Sequence, residues 1–180
     1  MVDQPSAAPR ATLRNGRDVL IRPLAEQDRA ALLAFGQQLL QDDLLYLEDD
    51  FQSPEIIARL VNAHEAENWR QIVAEADGTI IGYSAVRRLV GWSSHVADIL
   101  LLVSPEWRRA GVGVVLAQAI FGAARELGVN KVIVEVLDEQ HSGRAIFERL
   151  GFRVEGTLSK HARDRLGHYR DLLVLAYHVR

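Results

Sequence analysis

The segment Val103-Ser104-Pro105-Glu106-Trp107-Arg108-Arg109-Ala110-Gly111-Val112-Gly113 has the residue types and spacing best suited to chemistry. An apolar run ends, proline forbids its continuation, two arginines follow, and two glycines open a long helical pattern. Glycine lets the backbone approach a ligand without Cβ obstruction. The first turn of a helix has unpaired N–H donors at a positive dipole end, so it attracts anions. Arg108 and Arg109 add charge for phosphate oxygens. The segment therefore predicts a site for a phosphorylated ligand, although Gly-x-Gly by itself equally suits tight strand–helix packing.

The elements that must position this segment follow from periodicity and turn signals. Strands are predicted over 19–23, 71–75, 79–90, 95–103, 131–137, 152–158 and 171–178, and helices over 28–40, 54–62, 111–127 and 142–150. Ser53-Pro54 is an N-cap with proline at the first helical position. Asp77-Gly78 signals a hairpin turn, 91–94 another turn, and the acidic stretch 41–52 a loop. The stripe Val112, Leu116, Ile120, Ala123 and Leu127 makes 111–127 the best-marked helix. Hairpins come first and a strand–helix–strand unit second, so a mixed sheet is expected.

Composition narrows the rest. With 180 residues, 48% hydrophobic and 25% charged, the chain suits one domain, here 13–180, behind a loose polar tail at 1–12. A net charge of -3 gives no electrostatic case for nucleic acid or an anionic membrane as partner. The run Ile99 to Val103 is too short to span a bilayer. The absence of cysteine removes disulfides and a thiol nucleophile and suits a cytoplasmic protein. The scattered histidines predict no metal site.

At this point the residues resemble a family. Arg108-x-x-Gly111-x-Gly113 after Val103-x-Pro105 resembles the Gln/Arg-x-x-Gly-x-Gly/Ala acyl-CoA signature of the GNAT N-acetyltransferase superfamily. Phe147-Glu148-Arg149-Leu150-Gly151-Phe152 is similar to its second motif, usually Tyr-Glu-Lys-Leu-Gly-Phe. The order of elements is similar along nearly the whole chain. The resemblance implies an α+β fold in α/β/α layers, with a mixed sheet of about seven strands, splayed at its centre and flanked by helices. It implies acetyl-CoA as co-substrate. The pantetheine would pair with Leu101, Leu102 and Val103, and the pyrophosphate would lie on Arg108, Arg109, Ala110, Gly111, Val112, Gly113 and Val114. Gln140 stands where the family has asparagine, and Phe147 would pack on the pantetheine.

The implied reaction is attack of a neutral amine on a thioester. An alkyl ammonium has a pKa of about 10.4, so a base must remove a proton. Asp98 and Glu135 are the candidates, with His95 a third. Asp98 equally reads as a strand-end ion pair, and Glu135 as a surface-facing strand position. A backbone N–H near Val103 would stabilise the oxyanion. Phe147 replaces the tyrosine that serves the leaving sulfur in the family and cannot donate a proton. Tyr169, Tyr83 or bulk water would take that part.

The acceptor is expected between the acidic stretch 40–53, with Asp42, Asp43, Glu48, Asp49 and Asp50, and the last hairpin around 160–169. The acidic stretch equally reads as a solvated loop. The C-terminal pattern resembles branches that acetylate amino acids, small amines or protein N-termini. The opening 14–23 instead resembles protein-lysine acetyltransferases. Trp107 is placed to flank a nucleotide, while Trp69 and Trp92 read as core or edge packing. The second functional reading is an acyl-CoA-binding sensor without efficient catalysis. Homodimers are common in such folds, but no residue pattern fixes one here.

Overall fold

The computed structural model describes residues 9–45 and 47–179. Eight strands form one sheet: β1 (Arg10–Thr12), β2 (Asp18–Pro23), β3 (Trp69–Ala76), β4 (Thr79–Arg88), β5 (Val96–Val103), β6 (Lys131–Leu137), β7 (Arg153–Arg163) and β8 (Tyr169–His178). Their spatial order is β1-β2-β3-β4-β5-β6-β8-β7. The β5–β6 pair is parallel, and every other neighbouring pair is antiparallel. The helices are α1 (Arg29–Gln38), α2 (Gln41–Leu44), α3 (Pro54–Asn62), α4 (Val112–Glu126) and α5 (His141–Arg149).

The sheet has one strand more than expected, because Arg10–Thr12 pairs with β2 as an edge strand where a tail was predicted. The rest of that tail, 1–8, lies outside the described residues. Leu13 explains the extra strand: it is 5% exposed and packs in one apolar cluster with Trp107, Val112 and Leu116. Part of the predicted loop 41–52 is a helical turn, closed where the Leu40 amide donates to the Asp43 carboxylate at 2.9 Å.

Local signals formed the expected elements. Asp77 and Gly78 have φ of 50° and 76°, the double positive values of the tight hairpin turn between β3 and β4. Ser53 accepts from the Ile56 amide and Pro54 opens α3.

α4 packs on the face where Val112, Leu116, Ile120 and Ala124 are fully buried at four-residue spacing. Ala124 rather than Ala123 completes the stripe. Gly82 in β4 permits this approach, since a Cβ there would lie 2.6 Å from Leu116 Cδ1. α1 and α3 cover the opposite face through Leu32, Phe35, Ile57 and Leu60 against Val73, Tyr83 and Ala85. Charge pins the start of α1 to the sheet: Arg22 donates to both Asp28 oxygens, at 2.7 and 2.9 Å, and to Glu75 at 2.8 Å. Burial raises the Asp28 carboxyl, but Arg22 and the Ala25 amide outweigh it and hold it below the usual carboxylate range.

Candidate active site

The sheet opens at its centre. β5 and β6 are in register from Val96↔Lys131 to Ile99↔Val134, yet β5 continues to Val103 and β6 to Leu137. The phase of the neighbouring ladder shows what this opening exposes. The Ser104 amide donates to the Ile81 carbonyl at 2.8 Å, and the Leu89 amide to the Val96 carbonyl at 2.9 Å. With Gly82 opposite Val103 and Arg88 opposite Ala97, these bonds flank widely spaced pairs. The amides and carbonyls of Leu101 and Val103 therefore point away from β4 into the gap, where no strand lies opposite.

The chain then turns from β5 into α4. Arg109, with φ 63°, and Gly111, with φ 100°, take left-handed conformations that wrap the backbone around the helix start. Gly111 is the N-cap and offers no side-chain cap, and the first turn carries no acidic residue. The Val115 amide bonds the Gly111 carbonyl at 3.2 Å, so the amides of Val112, Gly113 and Val114 precede the helical ladder. A Cβ on Gly113 would sit 3.1 Å from Ile146 Cδ1, so tight packing against α5 is a second reason for that glycine. α5 also begins at this edge, with Gln140 as its N-cap and no acid in its first turn. Gln140 Oε1 accepts from the Leu137 amide at 3.0 Å.

Gap and loop open into one cavity of about 800 Å³. Of the residues expected to hold a cofactor, it is lined by Leu101, Leu102, Val103, Arg108, Arg109, Ala110, Gly111, Gly113, Val114, Gln140 and Phe147. Val112 instead points into the core and is fully buried. The donor set suits a pantetheine–pyrophosphate chain: an unpaired strand edge, then uncapped helix amides with cationic neighbours.

Asp98 and Glu135 meet on the sheet face that carries α1 and α3. Asp98 is opposite Ile133, two residues before Glu135, so the two share a face. Glu135 lines the cavity and is exposed. Burial pushes the Asp98 carboxyl up to about 7, with Glu135 and then Glu48 adding to the rise against the Ile99 amide. His95 precedes the opposite, N-terminal end of β5, and its carbonyl accepts from Asn130 at 2.8 Å.

Neither tyrosine is in the cavity. Tyr83 is buried under α1 and α3, donates to Gln71 Oε1 at 2.7 Å, and its pKa is raised by that burial. Tyr169 is 60% exposed at the start of β8 and is not part of the lining. Phe147 is 2% exposed and packs edge-on against Phe152, with ring centres 5.3 Å apart.

Other placements depart from expectation. Arg108 Nη2 donates to Asp43 at 2.6 Å and its Nε to the Val103 carbonyl at 3.2 Å, so it ties the loop to α2. Trp107 is 9% exposed beneath Arg17, whose guanidinium carbon lies 3.6 Å from the ring centre, so it packs the hairpin. Trp92 is 96% exposed rather than packed. Among the five acidic residues, Asp43 pairs with Arg108, Asp49 with Arg59, and Asp50 accepts from the Gln52 amide. The tip of the last hairpin is tied to the start of α5 by Arg170, which reaches Glu139 at 3.1 Å and Asp164 at 2.9 Å. The lining also includes Thr12, Arg14, His141 and Ser142, which sequence reasoning missed. The α5 start was legible from Gln140, but nothing local marks Arg14.

Among the described residues, no helix is long and apolar enough to cross a membrane. The fold is similar to an N-acetyltransferase from Staphylococcus aureus Mu50, with TM-score 0.80 at 16% identity, covering 90% of this chain and 99% of that one. It is also similar to yncA, a putative acetyltransferase from Salmonella typhimurium in a structure with its cofactor acetyl-CoA, with TM-score 0.79 at 16% identity and coverage of 90% and 94%. In sequence, a probable N-acetyltransferase camello from Xenopus tropicalis is 29% identical over 72% of this chain and 59% of its own length. The probable N-acetyltransferase 14 from Danio rerio is 34% identical over 55% of this chain. The match spans only 35% of that relative's length. A model of the acetyltransferase (GNAT) family matches residues 35–152, more than half of the chain. With the splayed sheet and glycine loop in place, this chain belongs to the acetyltransferase (GNAT) family.

Proposed function

We propose that the protein transfers an acetyl group from acetyl-CoA to a primary amine by direct attack. The observation that carries this reading is the β5 edge at Leu101 and Val103, which no strand pairs, continuous in one cavity with the uncapped start of α4. Acetyl-CoA supplies an acyl group on a thiolate leaving group. The amides of Leu101 and Val103 bind and orient the donor chain, and the amides of Val112 to Val114, with Arg109, hold its pyrophosphate.

Asp98 accepts the proton from the acceptor ammonium, through water because it is not in the lining; burial, with Glu135 adding to it, holds its pKa at about 7. The C–N bond forms, the C–S bond breaks, the nitrogen releases its second proton to solvent, and a backbone amide near Val103 that the donor chain leaves free donates to the acyl oxygen as charge develops there. Phe147 leaves protonation of the thiolate to solvent. The exposed Glu135 carboxylate in the lining favours a cationic acceptor.

The test is calorimetric CoA binding by wild type, Gly111→Ala and Gly111→Glu, followed by turnover of acetyl-CoA with a panel of amines. Both variants strain the positive φ, and only glutamate adds negative charge at the loop. Micromolar binding lost far more in Gly111→Glu than in Gly111→Ala, together with turnover, supports the enzyme. A folded wild type that binds CoA without turning over any amine would instead be an acyl-CoA sensor. No binding at all would overturn the site.

A further inference from the structure

The β1–β2 hairpin adds a cation to the cavity that neither motif contains. β1 ends at the same edge of the sheet as β5, because the strands from β1 to β5 alternate in direction. The hairpin tip therefore stands beside the loop that leads into α4. Two contacts seat it there: Leu13 packs with Trp107 and Val112, and the Arg17 guanidinium stacks over the Trp107 ring. The tip is itself rigid, since the Leu13 amide bonds the Arg17 carbonyl at 2.8 Å and the Gly16 amide bonds the Leu13 carbonyl at 2.9 Å. Arg14, at this seated tip, lines the cavity together with Arg109.

Arg14 and Arg109 differ from Arg108, which is committed to Asp43 and Val103. Neither has a hydrogen-bond or ion-pair partner among the described residues. Two guanidinium groups lining one cavity without a carboxylate partner leave positive charge there for an anion to meet. Guanidinium groups bind phosphate with two donors at once, which makes them selective for that group.

We propose that Arg14 binds a phosphate of the donor's nucleotide end, making the β1–β2 hairpin a wall of the donor site that selects nucleotide-bearing thioesters over bare pantetheine thioesters. This rests on the reading of the cavity as an acyl-CoA site. The first-turn amides of α4 serve the pyrophosphate where the chain enters, and Arg14 serves the phosphate-rich end beyond it.

The test measures affinities of CoA, 3′-dephospho-CoA and S-acetylpantetheine for wild type, Arg14→Ala, Arg14→Lys and Arg149→Ala. Arg149 lines the same cavity from α5 and is the competing cation. Arg14→Ala is expected to weaken CoA about tenfold, the loss of one charge-assisted phosphate contact, while leaving S-acetylpantetheine within about twofold. Arg14→Lys is expected to recover part of the loss. A loss confined to CoA assigns the contact to the 3′-phosphate, and a loss shared with 3′-dephospho-CoA assigns it to the pyrophosphate. Unchanged CoA affinity in a folded Arg14→Ala, an equal loss on S-acetylpantetheine, or selectivity lost only in Arg149→Ala would overturn the proposal. A wild type that binds none of the three would fail the acyl-CoA reading instead.

Discussion

Asp98 and Glu135 stand on neighbouring parallel strands and share one face of the sheet, at the point where those strands part. The register ends at Ile99↔Val134, so Glu135 is the first residue of β6 with no partner in β5. Burial and this neighbouring charge together lift the Asp98 carboxyl to about 7.

The rising limb of kcat/KM against pH is therefore expected to bend at about 7, as Asp98 gives up its proton and becomes a competent base. Glu135→Gln removes the charge that disfavours the carboxylate, so the bend moves to lower pH. The move covers only part of the rise, because burial is the larger cause. A bend that stays in place in Glu135→Gln would disconnect the pair.

Asp98→Asn is expected to lower kcat by roughly 10²- to 10⁴-fold, the usual range for losing a general base. Affinity for CoA, measured by calorimetry, stays within about twofold, since the cofactor lining does not include Asp98. A parallel loss of CoA binding would make Asp98 a structural residue.

Phe147→Tyr places a hydroxyl on a ring that already lines the cavity and packs on Phe152. We expect the variant to fold with a stability change of about 1 kcal/mol or less, because the ring itself is retained. Its kcat should rise when loss of the thiolate limits the rate. An unchanged kcat would show that solvent protonates the sulfur fast enough.

The Arg22–Asp28–Glu75 group yields a stability prediction. Asp28→Ala is expected to cost about 2–3 kcal/mol in urea unfolding, from two charge-assisted bonds and the Ala25 amide left unmet. The folded pKa of Asp28 is depressed, so its contribution is fully present above the unfolded value of 3.8. It is lost as pH falls through the lower folded value. The gap between wild type and Asp28→Ala should close with acidification over that window, and a constant gap would contradict the linkage.

Leu116→Ala is expected to destabilise the fold by about 2–5 kcal/mol, since Leu116 is fully buried where α4 meets β4 at Gly82. CoA binding by the folded fraction should persist, because Leu116 is absent from the cavity lining.

Most of this protein was written locally. Asp77-Gly78, Ser53-Pro54 and the four-residue spacing from Val112 to Ile120 each specify an element through neighbours in the chain, and all three formed as read. The glycine loop was legible for the same reason, since its backbone conformation depends on residues within one turn. Edge strand β1 was not, because three residues become a strand only when β2 and the cluster around Leu13 receive them. Tyr83 and Trp107 read as chemical groups in sequence, and distant packing buried both.

The sequence by itself thus determined most of the elements, their order and the glycine turn before α4, which arise from short-range sterics and hydrogen bonding. Tertiary structure alone decided where the β5–β6 ladder ends, which partner holds Arg108, and that Arg14 faces the same cavity as Arg109. Those outcomes depend on contacts between residues far apart in the chain, and no local pattern encodes such a contact.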